Sequence, residues 1–526
     1  MPPEYLTYFN FPAPVLVLFA FALAVLLWRR QVSCSRLNLP LPPGPRRLPI
    51  IGNLLDVPTQ DLEVHFRDMN EQYGDVAYLD AFGQPMIILG THEAAIELLD
   101  KRASNYSDRK FSSMAELTGL SWLLGTVPYG DRWRGIRRNF HQHMNAKAVT
   151  QYSSIQERDV KAFLVRLLDD PKEFSVHGRS LFTSIIMRVV YGLDLTPDDD
   201  YMHTGEKAIT AFNLAFLPGK YLVETFPIMR FIPKWFPGAK FKRDAAGWRD
   251  AVLRMRNEPW EGAVKAIREG QGVHSMVSDL KDRVNAGADE EIAKDSAASV
   301  YLGASDTTLS TMQTFFAAMA NYPEVQKRAQ TELDTVVGPH RLPTFDDEKL
   351  LPYVCALIKE CLRWKSVIPT GVAHLSMEED EYQGYRIPKG SIVVSNIWAY
   401  SRDPRHYTDP EEFRPERFLK DGQLDHSVLD PGMIAFGYGR RICPGKHFAE
   451  RTLFTLLSSI LHTFWVSAPT DENGNAVPVN MKMTLGVISY AEPFECNIVP
   501  RSAASETLIR TLRDEQKIAE DVGVEL

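Results

Sequence analysis

The chain has 526 residues, 44% hydrophobic and 24% charged, with a formal net charge of -8. That is ordinary globular composition with length enough for a large core, and the acidic balance gives no reason to expect nucleic acid binding. The five cysteines, Cys34, Cys355, Cys361, Cys443 and Cys496, are odd in number and sparse, which disfavours a disulfide framework and suits a reducing compartment.

Phe11 to Trp28 carries no charge, and its 18 residues lie at the short end for a spanning helix. Arg29, Arg30 and Arg36 follow it and only Glu4 precedes it. The positive-inside rule therefore predicts an anchor over 11–28, with residues 1–10 across the membrane and the body in the cytosol. A cleaved secretory signal would need a basic stretch before the apolar one, which Met1-Pro2-Pro3-Glu4 lacks. With a cytosolic body, the sequon Asn105-Tyr106-Ser107 stays bare. Residues 29–49, basic and then proline-rich, read as a stiff spacer. No later Gly/Ser/Pro-rich linker and no repeat occurs, so 50–500 is expected to form one catalytic domain.

Within that body, Asp75 to Leu89 predicts a hairpin turning near Gly83. Most of the rest up to Lys349 reads as helix with loops. Trp133 and Arg137 lie four apart, on one helix face. Phe212 to Phe236, dense in aromatics and prolines, reads either as core or as a surface that dips into a bilayer and lines a substrate entrance. Asp289 to Ala320 is the longest helical stretch, acidic at its start and stopped by Pro323. About 30 residues at 1.5 Å each span roughly 45 Å, enough to cross a domain. Gly303-Ala304-Ser305-Asp306-Thr307-Thr308 lies in its middle, and small residues there admit a flat cofactor. Glu360 and Arg363, three apart on a helix, can pair. Val367 to Val372 and Ile387 to Val394 read as loop and strands, and Met481 to Tyr490 as a closing hairpin around Gly486. Residues 501–526, charged and polar, read as a surface tail.

Phe436-Gly437-Tyr438-Gly439-Arg440-Arg441-Ile442-Cys443-Pro444-Gly445 puts one cysteine in a cationic, glycine-punctuated loop before an apolar helix. Unpaired N–H groups and the positive dipole end favour thiolate there, and thiolate is the metal-ligating form. Gly439 and Gly445 would allow tight turns and close backbone approach. No second cysteine or histidine stands at metal spacing, and no Cys-x-x-Cys-His occurs. The pattern points to haem held by one axial sulfur. The spacing of Phe436, Gly439, Arg441, Cys443 and Gly445 resembles the haem signature of the cytochrome P-450 superfamily, and the resemblance covers roughly Pro42 to Arg501.

That resemblance implies a mainly α fold with small β-sheets, haem b lying between the long central helix and the cysteine loop, and Cys443 as the axial ligand. It implies Trp133, Arg137 and His374 as partners of the haem propionates, and Phe436 as a shield over the sulfur. Thr307 would hydrogen-bond dioxygen and Asp306 would help relay protons. The family has glycine where this chain has Ala304, which narrows the groove. Glu360, Arg363 and Arg417 would form a buried triad serving folding and haem retention. Val300, Tyr301, Ala304, Thr307, Ile368, Val372, Val487 and Ile488 would line a pocket without charge, hence for a lipophilic substrate.

No Gly-x-Gly-x-x-Gly opens a helix after a strand, so no dinucleotide site is expected. The family's microsomal members take electrons from a membrane-bound, NADPH-dependent flavoprotein reductase, and Arg440, Arg441 and Lys446 offer a basic docking face. The implied activity is hydroxylation or epoxidation of a lipophilic small molecule at the endoplasmic reticulum membrane. The overall character resembles fungal members of secondary metabolism. The alternatives are a haem-thiolate isomerase or peroxygenase, against which Asp306 and Thr307 argue, and a haem sensor, which would need no apolar pocket.

Overall fold

The architecture comes from a computed structural model; it describes residues 37–58, 60–195, 199–283 and 287–522. The anchor expected over 11–28 lies outside these residues, and no helix among the described residues is long and apolar enough to cross a membrane.

The body is mainly helical, with its core in the helices and a small sheet at one side. The labelled helices are α1 (Asp131–Met144), α2 (Ser153–Asp169), α3 (Phe174–Ile186), α4 (Asp200–Ala215), α5 (Lys240–Arg268), α6 (Ala288–Asn321), α7 (Pro352–Trp364), α8 (Lys446–Thr463) and α9 (Ala503–Val522). The main sheet contains β1 (Val76–Ala81), β2 (Gln84–Leu89), β3 (His374–Leu375) and β4 (Ile392–Ser395), in the order β1-β2-β4-β3. β1 and β2 form the expected hairpin, Val76 opposite Leu89 and Ala81 opposite Gln84. Its turn residues, Phe82 and Gly83, both have positive φ, the tight turn whose twist matches that of the strands. β2 runs parallel to β4, so residues about 300 apart in sequence are neighbours in the sheet.

α6 is the axis of the molecule. Asp289, Glu290 and Glu291 give it the acidic first turn its dipole favours. It is apolar or small on nearly every side and buried among α1, α3, α4, α5, α7 and α8. A helix buried all round reads as interior rather than amphipathic.

Two segments flanking the body are docked on it. Residues 503–522 are a docked helix: Ile509 and Leu512 are buried, and Arg513 pairs with Asp169 at the end of α2. Three apolar residues at helical spacing, Leu508, Ile509 and Leu512, are enough to seat it among charged neighbours. The end of the proline-rich spacer is also seated. Pro40 and Pro43 carbonyls accept the Arg386 and Tyr78 N–H groups, and a Cβ on Gly44 would stand 2.0 Å from the Tyr78 oxygen. In the sequon, the Asn105 side chain is committed internally to the backbone of Met377 and Glu378, and Ser107 is buried.

Candidate active site

The cysteine loop packs on an unusual support. Residues Ile96–Lys101 form a π-helical turn, and Gly439, at φ 55°, lies so close that a Cβ would stand 2.1 Å from the Leu99 oxygen. Only glycine fits there. Gly445 has no such constraint: its φ is -89° and an added Cβ would meet the Cys443 sulfur at an ordinary 3.9 Å. The Cys443 N–H donates to the Phe436 carbonyl at 2.7 Å, which closes the loop, and the half-buried Phe436 ring lies under the Lys446 ammonium at 5.7 Å.

Cys443 is exposed, yet the surrounding protein desolvates its sulfur. Burial pushes its thiol pKa up, against the expectation from the helix N-terminus; the Gly445 N–H and the Arg137 charge pull it the other way. A bound metal cation would override that balance, since a coordinating thiol is deprotonated outright. On α6 the same combination recurs. Gly303 is exposed and Ala304 and Thr307 are half-buried, although the helix before and after them is buried. An added Cβ at Gly303 would meet nothing within 4 Å. A helix interior therefore opens on one face, at positions three and four apart, and Val300 shares that face. Leu124 ties the two parts together: its N–H donates to Ser299 on α6 and its carbonyl accepts from Arg441 of the cysteine loop.

The other walls converge on this face. Ser310 on α6 donates to the Ser489 carbonyl, and the Ser489 N–H donates to Val367. This draws the segment of Val487 and Ile488 against that of Ile368 and Val372. The closing hairpin is present as a single bridge, Met483 opposite Ala491, rather than as two strands. Tyr301 is corrected out of the pocket: its hydroxyl donates to the Tyr201 carbonyl at 2.8 Å and its ring packs on Gly205 of α4. It precedes Gly303 by two residues, about 200° round the helix.

Thr307 donates its hydroxyl to the Gly303 carbonyl at 2.8 Å, which leaves its oxygen lone pairs free to accept. α6 remains α-helical through Ala304. Asp306 points elsewhere, toward Arg179 of α3, and burial raises its pKa.

The cationic end of the site is richer than the sequence suggested. His374 is buried on β3, not exposed on a loop, with Nδ1 2.6 Å from the Tyr106 carbonyl. Burial and then the Arg109 charge hold its pKa well below the usual range. Arg109, which no spacing singled out, is buried and donates to the carbonyls of Gly125, Val372 and Ala373. Arg441 is turned inward over the Trp133 ring and donates to Ser107, Leu124 and Val127 carbonyls. It is thus withdrawn from any docking face. The Trp133 indole N–H is buried without a hydrogen-bond partner among the described residues. Arg137 donates to the Ile442 carbonyl at 2.6 Å, next to Cys443. The buried Arg109 and half-buried Arg441 guanidiniums and an orphaned indole N–H fit an anionic group, such as the two propionates of haem, and the accessible sulfur and the open helix face fit its iron and its plane.

Behind the loop, Glu360 and Arg363 of α7 form a two-point pair at 2.7 and 2.8 Å, with no solvent exposure, and Arg417 joins Glu360 at 3.2 Å. Arg363 also donates to the carbonyls of Ser401, Pro410 and Glu412, so the network is complete.

A sequence profile of the family Cytochrome P450 matches residues 42–492. This chain belongs to the cytochrome P450 family. Among its relatives is a cytochrome P450 monooxygenase of Coprinopsis cinerea, 42% identical over 478 residues, 89% of this chain and 90% of the relative. Another is the tryptamine 4-monooxygenase of Psilocybe cyanescens, 37% identical over 90% of this chain and 94% of its own. A cytochrome P450 monooxygenase of Ampulloclitocybe clavipes is 38% identical over 90% of this P450 and 89% of the relative. The chain is therefore a P450 monooxygenase, and the mainly α architecture with small sheets is that of the family. Membership implies haem-thiolate chemistry, a redox partner, dioxygen and a small-molecule substrate.

Proposed function

We propose that this P450 hydroxylates or epoxidises a lipophilic small molecule of fungal secondary metabolism, with electrons from a membrane-bound, NADPH-dependent flavoprotein reductase. One observation carries the reading: an accessible cysteine in a glycine-punctuated loop and the opened Gly303–Thr307 face of the otherwise buried α6 are tied together through Leu124. Haem b bound through Cys443 would supply oxygen activation, the thiolate favouring O–O cleavage. Arg109, Arg441 and Trp133 would hold its propionates, joined by His374 once the bound anion favours its protonated form, while Arg137 would place positive charge beside the sulfur. Thr307 would accept a hydrogen bond from the reacting oxygen, and Asp306 would bring a proton to that face. Val300, Ala304, Ile368, Val372, Val487 and Ile488 would exclude water and bind the substrate's apolar body.

The aromatic stretch divides between the two roles left open by the sequence. Phe212 and Tyr221 are buried, whereas Ile228, Phe231 and Trp235 are 75%, 72% and 79% exposed. Phe226 stacks edge-on against Phe82 at the hairpin tip, and exposed Leu48, Ile50 and Leu55 lie beside that tip. One apolar surface thus joins 222–236 to the chain leading from the anchor, which supports a body resting on the endoplasmic reticulum membrane from its cytosolic side. For the reductase, Arg134 and Arg138 on the outer face of α1, with exposed Arg440, supply the basic surface that Arg441 does not. The test is incubation of the reductase-reconstituted enzyme with a metabolite library. Products gaining one oxygen atom only with NADPH and reductase support the reading; the same products with peroxide alone, or isomerised products, would favour its alternatives.

A further inference from the structure

The cysteine loop meets its support at a second point, one residue before Gly439. Tyr438 and His92 are both buried, and the Tyr438 hydroxyl stands 3.0 Å from Nδ1 of the His92 ring. They lie 346 positions apart, so the fold alone brings them together. His92 opens the short helix His92–Ala95, which the Thr91 side chain caps by accepting the Ala94 N–H. That helix runs directly into the π-helical turn 96–101, where the Leu99 carbonyl receives Gly439. The His92 ring also packs edge-on against Tyr400 and His406, with centroids 6.5 and 6.3 Å away. Tyr400 is itself fixed, since its hydroxyl donates to the Leu89 carbonyl of β2. Burial pushes the Tyr438 pKa up and the His92 pKa down. Both groups are therefore neutral at neutral pH, and the Tyr438 O–H donates to a bare Nδ1.

Gly439 fits its support by shape, which sets a distance but no direction. The bond between Tyr438 and His92 adds the direction. Tyr438 lies inside the segment that the Cys443 N–H closes onto the Phe436 carbonyl, so whatever fixes Tyr438 fixes the frame that carries the sulfur. We propose that Tyr438 and His92 are positioning residues for the Cys443 sulfur: their hydrogen bond holds the closed 436–443 loop in one orientation on the 92–101 segment. The inference rests on the reading of Cys443 as the haem ligand. A loop free to turn would present its sulfur to the metal in several orientations, and would aim the Gly445 N–H less well at that sulfur.

The experiment is resonance Raman spectroscopy of the iron–sulfur stretch in the haem-loaded protein. It is read beside the rate at which the reduced, carbon monoxide-bound protein loses its thiolate Soret band in dilute denaturant. Tyr438→Phe, which removes only the hydroxyl, is expected to shift and broaden the stretch. It should also raise the rate about tenfold, because it leaves a buried acceptor unpaired. His92→Leu is expected to match it, and the double variant to lose no more than either single one. His92→Asn, whose amide can stand where Nδ1 stood, is expected to keep the stretch and the rate of the parent. If Tyr438→Phe does not load haem, His92→Leu against His92→Asn makes the same comparison from the other side of the bond. A stretch unmoved in the variants that load haem, effects that add in full in the double variant, or His92→Asn no better than His92→Leu overturns the inference. If the parent shows the iron–sulfur stretch and Tyr438→Phe and His92→Leu leave it unmoved, only this inference falls. If the haem-loaded parent shows no such stretch, the ligand reading falls and takes the inference with it.

Discussion

Arg109 and Arg441 converge on buried His374, and each hydrogen bond recorded for their guanidiniums ends on a backbone carbonyl. Burial lowers the pKa of both, that of Arg441 to about 10. One buried and one half-buried cation, with Asp108 as the carboxylate acting on both, carry an electrostatic cost that an anionic ligand would relieve.

It follows that Arg109→Leu, compared with the parent chain as folded, haem-loaded protein, should lose haem faster. A charged hydrogen bond is worth about 1.5–3 kcal/mol, so the haem dissociation rate should rise about 10- to 100-fold. Transfer of haem to an excess of a tight-binding acceptor protein measures it, and an unchanged rate would remove Arg109 from the haem-holding set.

Glu360→Ala should behave in the opposite way, failing in folding rather than in affinity. It strands Arg363 with no solvent to receive its charge. Breaking a buried pair costs about 3–5 kcal/mol, a large part of the stability of any domain. Thermal unfolding and pigment yield together should show a lower melting temperature and little haem-loaded protein.

How much of this was legible in the sequence depended on distance along the chain. Cys443 with its flanking glycines, and Glu360 with Arg363, are chemistry compressed into a few residues, so spacing exposed them. Arg109 sits in an irregular segment and acts on residues over 260 positions away, which leaves no local signature. The same holds for Arg179, whose partner Asp306 lies on another helix. Tyr301 stands three residues from Ala304, so helical phase did not exclude it; its direction is set by Tyr201 and Gly205 on α4. The direction of the Arg441 side chain could not, because it is set by the carbonyls of Ser107, Leu124 and Val127.

His462 makes the fold sensitive to acid. It is buried in the last turn of α8, where burial and then the nearby Arg501 charge push its pKa from 6.5 down to about 4. Unfolded chains take up the proton near 6.5 and the native state does not until about pH 4. Stability is therefore full above 6.5 and falls as pH drops through this window, by about 3 kcal/mol at most. Denaturant melts across the window should show the fall in the parent chain, and His462→Gln should flatten that part of the slope.

If the apolar surface around Phe231 and Trp235 rests on lipid, protein lacking residues 1–36 should still bind vesicles. Replacing both side chains with serine should then release it. Each fully buried aromatic is worth about 1.5–3 kcal/mol, so vesicle co-sedimentation should fall at least tenfold. Equal binding by parent and variant would place the membrane contact elsewhere.

The central assignment is the iron–sulfur bond from Cys443. Its most direct test is the absorption spectrum of the reduced, carbon monoxide-bound protein, parent against Cys443→Ala, with folding checked by circular dichroism. The parent should show the long-wavelength Soret band of thiolate-held haem, and the folded variant should lack it. The same band, undiminished, in folded Cys443→Ala protein would contradict the assignment.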